Sequence, residues 1–221
     1  MKTKQSGFTL VEIAIVLVII GLLLGGVLKG QELISNAKIK NIVSDLNSIS
    51  AAHNTYIDRY RALPGDEANA VYVARGWATV TGAGDGNGVL AMTAAATFTS
   101  PQVVLEGVGF WQTLRAAQMI SGDPASAALP TNAAGGLVGV NGVATYGQPG
   151  PTVCVSGIPA KIALGVDTSI DGALVANIGN NTGTLRGANT AAAPLAPAAA
   201  VAAGAAYNET VVVPWTLCRS L

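Results

Sequence analysis

The stretch KQSGFTLVEIAIVLVII, residues 4–20, passes from a cationic tail through a glycine into a nearly unbroken apolar segment. Residues 8–28 carry Glu12 as their only charge. An α-helix of this length, at about 1.5 Å per residue, crosses a hydrocarbon core roughly 30 Å thick. A charge at the centre of such a span costs roughly 3 kcal/mol. The sequence therefore predicts a transmembrane helix in which one carboxylate needs a partner.

The segment KQSGFTLVE resembles the cleavage and methylation signature of type IV pilins and of the related pseudopilins of type II secretion. The resemblance implies that a membrane-embedded prepilin peptidase cuts between Gly7 and Phe8 and methylates the new N-terminus. It also implies that Glu12 is the carboxylate that pairs with the Phe8 amine of a neighbouring subunit. A buried charge is costly alone and acceptable when paired, so pairing favours assembly over residence in lipid. A signal anchor with a chance glutamate is the alternative interpretation.

Beyond residue 30 the apolar side chains form one stripe with spacings of three and four, which is typical of an amphipathic helix. The stripe consists of Ile39, Ile42, Leu46, Ile49, His53, Tyr56, Tyr60 and Leu63. We therefore predict one helix from about residue 8 to 62, which ends at LPGD, residues 63–66. His53 is predicted to pack between this helix and the rest of the domain. Gly21, Gly25 and Gly26 favour either local unwinding or close packing of helices.

The stretch GAGDGNGVL, residues 82–90, places Asp85 and Asn87 two positions apart, as in the first part of a calcium-binding loop. It lacks the third ligand and the terminal glutamate of an EF-hand. Two interpretations remain open, a plain glycine-rich turn and a calcium site completed by Asp66 or Glu67. The sequence requires no cofactor, and calcium is the one metal that it suggests.

A second helix is predicted near residues 102–121, with Phe110 and Trp111 in the core. From about residue 135 onward, short apolar runs are separated by turn residues, and three of them are strand candidates. These are TVCVSGI at 152–158, KIALGVDTSI at 161–170 and ETVVVPWTLC at 209–218. The order of LPGD, GDGNG and the second helix resembles pilin-like proteins with a large loop between the long helix and the sheet.

The two cysteines, Cys154 and Cys218, belong to no CxxC or Cys/His cluster, and a disulfide between them is predicted. In the loop-entropy model such a bridge contributes roughly 4 kcal/mol. It would place the domain in an oxidising compartment and would join the last strand to the sheet. Between the cysteines, the alanine-rich stretch 189–208 is predicted to be a variable surface loop, because its prolines disfavour a regular helix.

Together these features predict an α+β fold with the architecture of pilins. A long N-terminal helix would protrude with its hydrophobic half and pack its second half on an antiparallel sheet headgroup, in a lollipop shape. The predicted domains are a leader at 1–7, the membrane and assembly half of the helix at 8–30, its amphipathic half at 31–62, an irregular region at 63–134 and the headgroup at 135–221.

Composition and motifs argue against two classes of function, nucleic-acid binding and catalysis. Twelve basic and twelve acidic side chains cancel, so nucleic acid is not an expected partner. No G-x-S-x-G motif and no acid/base pair of carboxylates stand out, and we expect no enzymatic activity. The resemblance implies the structural subunit of a pilus-like filament, or fimbrium.

Such a subunit is a precursor in the inner membrane and then part of an extracellular homopolymer. Its expected partners are further copies of itself, the prepilin peptidase and the inner-membrane assembly machinery. The alternatives are a type II secretion pseudopilin and a minor pilin that acts in adhesion or DNA uptake. The length of the chain after cleavage favours a pilus over the simplest pseudopilins.

Overall fold

The computed structural model describes residues 9–102, 104–172, 183–189, 207 and 213–221. The leader, Phe8 and all but two residues of the stretch 189–208 lie outside the described residues. The chain divides into two compact units, Met1–Ala37 and Lys38–Leu221. The helices are α1 (Leu10–Tyr60), α2 (Asn69–Ala74), a 3₁₀ turn (Ala94–Ala96), α3 (Leu105–Ala116) and α4 (Ala160–Asp171). The strands are β1 (Val138–Asn141), β2 (Thr152–Ile158), β3 (Leu185–Asn189) and β4 (Trp215–Ser220). The predicted α+β class is confirmed.

Helix α1 runs without interruption from Leu10 to Tyr60, so it passes through Gly21, Gly25 and Gly26 in helical conformation. In the first unit, the apolar side chains of α1 are exposed, and this part is long and apolar enough to cross a membrane. The helix ends where Arg61 adopts a left-handed φ of 57°. The predicted protrusion of the hydrophobic half stays a prediction.

The second half of α1 supplies one side of the core of the second unit. The buried residues of this half are Ile42, Leu46, Ile49, Ala52, His53 and Tyr56, and all but Ala52 lie on the predicted stripe, which confirms the amphipathic prediction. Apart from His53, these residues share one hydrophobic cluster with side chains of α3, α4 and the sheet. Gly165 of α4 permits close packing, because a Cβ atom there would collide with the Ile39 side chain.

Helix α3 is shorter than the predicted second helix and is buried on all sides from Glu106 to Arg115. Phe110 and Trp111 are each 1% exposed, which confirms their place in the core. Glycines make this burial possible, since a Cβ atom at Gly82 would collide with the backbone nitrogen of Gly109. The helix therefore lies directly against the irregular segment that precedes it, and it carries Glu106 into the interior.

The sheet has the order β1-β2-β4-β3, with every neighbouring pair antiparallel. The predicted strand at 152–158 is confirmed as β2, and the last candidate overlaps β4. Cys154 and Cys218 lie opposite each other on these two strands and form the predicted disulfide. The bridge therefore connects the two central strands of the sheet.

The predicted strand at 161–170 is wrong, because these residues form α4. Ile162, Leu164 and Val166 alternate as in a strand, and a short apolar run does not distinguish a strand from a buried helix. The burial pattern is helical, since Ile162, Ala163, Val166 and Asp167 are buried on one face. Pro159 begins the helix with a φ of −58°, which suits a position just before a first turn.

Candidate processing and assembly site

The first turn of α1 is closed by a reciprocal pair of hydrogen bonds between Thr9 and Glu12. The Glu12 backbone N–H donates to Thr9 Oγ1 at 3.2 Å, and the Thr9 backbone N–H donates to Glu12 Oε2 at 2.8 Å. The Thr9 hydroxyl also donates to Oε2, at 2.8 Å. This arrangement is a capping box, in which side chains satisfy the free N–H groups of a helix start. The carboxylate of Glu12 is thus already partnered within a single chain.

The capping box has two consequences for Glu12. A negative charge in the first turn is stabilised by the positive end of the helix dipole. Within the part of the chain that the structure describes, no hydrogen bond reaches Glu12 Oε1, so this oxygen is open to a second partner. Cleavage before Phe8 would leave the Thr9 amide in place, and with it the capping box. Gly7 and Phe8 themselves lie outside the described residues.

Our sequence interpretation missed the role of Thr9. The signal was present, because a threonine followed three positions later by a glutamate at the start of an apolar run is typical of a capping box. The resemblance assigns the glutamate a partner in another subunit, and the structure adds a partner in the same chain.

A second site brings together three carboxylates from the region after α1. Oxygen atoms of Asp66, Asp85 and Glu106 all lie within 4.8 Å of one another. Asp66 and Glu106 are buried and Asp85 is exposed. Asp85 and Asp66, two of the residues considered for a calcium site, thus lie close together, and Glu106 is a member that the sequence did not indicate.

The other two predicted ligands are occupied elsewhere. The Oδ1 atom of Asn87 accepts the Val89 backbone N–H at 2.7 Å. Glu67 pairs with Arg75, through distances of 2.5 Å and 2.6 Å between the guanidinium nitrogens and the carboxylate oxygens. Neither side chain belongs to the three-carboxylate group.

The three-carboxylate group is held by backbone donors. Asp66 accepts the N–H groups of Gly86 at 3.2 Å and Gly88 at 2.8 Å, and Glu106 accepts that of Ala91. Burial raises the pKa of Glu106, and the charges of Asp66 and Asp85 raise it further. Carboxylate oxygens are the ligands that calcium prefers, so the donor set fits this ion. Calcium binding at this group stays a prediction.

The chain after α1 is fixed to that helix by a buried polar network around Glu67. The hydroxyl of Tyr56 on α1 donates to Glu67 Oε2 at 2.7 Å, and the Glu67 N–H donates to the Tyr72 hydroxyl at 3.1 Å. The Arg75 guanidinium lies 4.4 Å from the ring centre of Tyr60, a cation–π distance. Hydrogen bonding to Glu67 raises the pKa of Arg75. This network holds the segment that contributes Asp66.

A further pair of acids, Asp167 and Asp171, lies one turn apart on α4. Asp167 is 1% exposed, and no donor among the described residues gives a hydrogen bond to either of its carboxyl oxygens. Burial raises its pKa to about 7, with a further contribution from the charge and hydrogen bonding of Asp171. Asp171 accepts the N–H groups of Thr184 at 3.0 Å and Leu185 at 2.8 Å, which fixes the start of β3. The pair was not predicted from the sequence.

His53 has the packing role that the sequence predicted. It is 5% exposed, and its ring stacks on Phe110 with a centroid distance of 6.2 Å. No acid or second histidine accompanies it among the described groups that could hold a metal.

Comparison with known proteins adds one finding. Residues 2–28 match the family described as the prokaryotic N-terminal methylation motif, which is the class III leader of type IV pilins and pseudopilins. Comparison with curated proteins finds no match for the chain. The motif implies processing by a prepilin peptidase and a membrane-anchored precursor, and proteins that carry it are structural rather than catalytic. The leader is thus similar to that of type IV pilin and pseudopilin precursors, and the α+β fold behind it is consistent with a pilin-like fold.

Proposed function

We propose that the chain is the structural subunit of a type IV pilus-like filament. In this proposal the leader is removed after Gly7, Phe8 becomes an N-methylated amine, and α1 becomes part of a bundle of identical helices. The observation that carries the proposal is the methylation motif at residues 2–28, which continues into an exposed apolar helix. An apolar helix surface of this extent needs either lipid or other helices around it.

In this proposal, Glu12 favours the assembled filament over the single chain in lipid. In the membrane, the capping box with Thr9 and the helix dipole reduce the cost of its charge. On assembly, Glu12 Oε1 accepts a hydrogen bond from the Phe8 ammonium of the neighbouring subunit, while Glu12 Oε2 keeps its hydrogen bonds to Thr9. A pair of opposite charges is far more stable in an apolar bundle than either charge alone. The transfer from lipid to filament therefore adds an ion pair between subunits.

The proposal assigns two successive locations to the chain. The precursor resides in the inner membrane, where it meets the prepilin peptidase and the assembly machinery. The product is a homopolymer on the cell surface, and the Cys154–Cys218 disulfide suits an oxidising compartment outside the cytoplasm.

The replacement Glu12→Ala tests this function in cells that express the full chain and assemble it. We expect normal insertion and cleavage, since both occur before assembly, and a strong reduction of filaments in the sheared surface fraction. Glu32→Ala is the matched control, because Glu32 is an exposed acid on α1 that pairs with Lys29 of its own chain at 2.7 Å. Filament yield from Glu12→Ala equal to that of the control would refute the proposed role.

All the alternatives share the leader, so the leader does not distinguish them. The cell fraction in which the chain is found in the same experiment does. A pseudopilin would remain in the membrane and periplasmic fraction, and its loss would impair secretion of folded proteins. A minor pilin in adhesion or DNA uptake would appear in sheared filaments as a small fraction of the protein. A major pilin would be the main component of those filaments.

A further inference from the structure

Two grooves border the part of α1 that belongs to the second unit, and both reach Ser48. The groove on one flank has a volume of about 410 Å³ and is lined by Asp45. The groove on the other flank has a volume of about 340 Å³ and is lined by Lys40. The helix therefore presents an acid beside one groove and a base beside the other.

The two charges have no ionic partner among the described residues. Across the described residues, neither Asp45 nor Lys40 forms an ion pair, and the only such pairs are Lys29–Glu32 and Arg75–Glu67. Asp45 is half-buried, and burial raises its pKa, so its charge is incompletely hydrated. On the Lys40 flank, Arg219 donates to Asn47 Oδ1 at 2.6 Å and adds a second positive charge.

The spacing of the two residues prevents an internal pair and suits a contact between copies. Five residues of α-helix correspond to a rise of about 7.5 Å and a rotation of about 140°. Asp45 and Lys40 therefore project from different flanks at different heights. A helical polymer is built by a heterologous contact, in which one surface of a subunit meets a different surface of the next. Opposite charges on two flanks of one helix are the arrangement that such a contact needs.

A pair between Asp45 and Lys40 of two copies would also define an axial shift. Lys40 lies five residues before Asp45 on α1, which corresponds to about 7.5 Å along the helix axis. A parallel neighbour whose Lys40 is level with Asp45 is therefore shifted by about 7.5 Å.

We propose that Asp45 of one subunit pairs with Lys40 of a second copy of this chain, and that this pair sets the axial register of the filament together with Glu12. The proposal rests on the proposed filament function and names a second contact within it. The occupant of the Asp45 flank is thus the basic flank of α1 in the neighbouring copy.

A charge swap in the full-length chain tests the contact. Asp45→Lys and Lys40→Asp each create a repulsion between neighbours, and each is expected to lower the yield of sheared filaments by roughly fivefold to tenfold. The double variant restores the pair with its direction reversed, and its yield should return to within about twofold of wild type. Asp58→Lys is the matched control, because Asp58 is an exposed acid of α1 and neither a lysine nor an arginine stands four or five residues before it.

The outcomes separate the two proposals. Absence of filaments from the wild-type chain would overturn the proposed function. Wild-type filaments together with unchanged yields from both single variants would overturn the Asp45–Lys40 contact alone. A double variant that assembles no better than the weaker single variant would also overturn it, since two independent surface changes add and two paired charges compensate.

Discussion

Replacement of Asp167 by asparagine is expected to raise the stability of the chain at pH 8 much more than at pH 5. Asp167 is 1% exposed on α4, and neither of its oxygens accepts a hydrogen bond from a donor in the described structure. The folded state therefore favours the protonated acid, which can donate to Asp171. Asparagine has nearly the same shape, carries no charge, and can donate to Asp171 in the same way.

The magnitude follows from the raised pKa of Asp167, which is about 7 in the folded chain against an ordinary value of 3.8. One unit corresponds to about 1.4 kcal/mol, so complete ionisation of Asp167 costs the folded state about 4 kcal/mol. Because the folded-state pKa is raised, the protonated acid contributes its full stability below the ordinary pKa. This contribution is lost as the pH rises through about 7. Between pH 5 and pH 8 the loss amounts to roughly 3 kcal/mol.

Urea unfolding of the full chain in detergent micelles, at pH 5, 6, 7 and 8, measures the effect. The quantity to compare is the difference in unfolding free energy between Asp167→Asn and wild type, in which the contributions of groups away from Asp167, such as His53, cancel. We expect this difference to grow by about 3 kcal/mol from pH 5 to pH 8. Asp58→Asn, on an exposed part of α1, is the control and should give a nearly constant difference. A difference for Asp167→Asn that is equally constant would refute the reasoning.

Three further predictions concern the disulfide, the start of α1 and the three-carboxylate group. Replacing Cys154 and Cys218 by alanine opens a bridge of sequence separation 64 and should lower the unfolding free energy by about 4 kcal/mol; a loss below about 1 kcal/mol would contradict the loop-entropy estimate. Thr9→Val removes the capping box and should cost about 1 kcal/mol of helix stability, seen as faster amide hydrogen exchange in the first turn, whereas Thr55→Val in the helix interior should leave that turn unchanged. Millimolar calcium should raise the Tm of the wild-type chain by about 5 °C and leave that of Asp85→Asn unchanged; equal shifts in both proteins would argue against a site at this group.

The features that the sequence predicts well are those with long or specific patterns. The apolar run after Gly7 and the stripe from Ile42 to Tyr56 extend over many turns, so their periodicity is unambiguous and α1 follows. The disulfide was predictable because the chain has two cysteines, and both fall in apolar runs with strand character. In each case the deciding information lies in local sequence.

The features that the sequence did not predict depend on contacts between distant segments. Glu106 and Asp85 become neighbours only because α3 is buried against the segment at Gly82, and no local sequence pattern predicts that packing. Helix α4 was mistaken for a strand because its short apolar run alternates by chance, and only its burial among α1 and the sheet shows which face it uses. Thr9 is different, since its capping signal was local and the interpretation of Glu12 as an intersubunit residue obscured it.

Mass spectrometry of the intact chain from sheared surface filaments tests the central claim most directly. The account predicts a main component that lacks residues 1–7 and begins with Phe8 carrying one N-methyl group. The Glu12→Ala chain should show the same processing in the membrane fraction and should be depleted from the filaments. A chain that retains its first seven residues, or that is processed and yet absent from every sheared filament, would contradict the account.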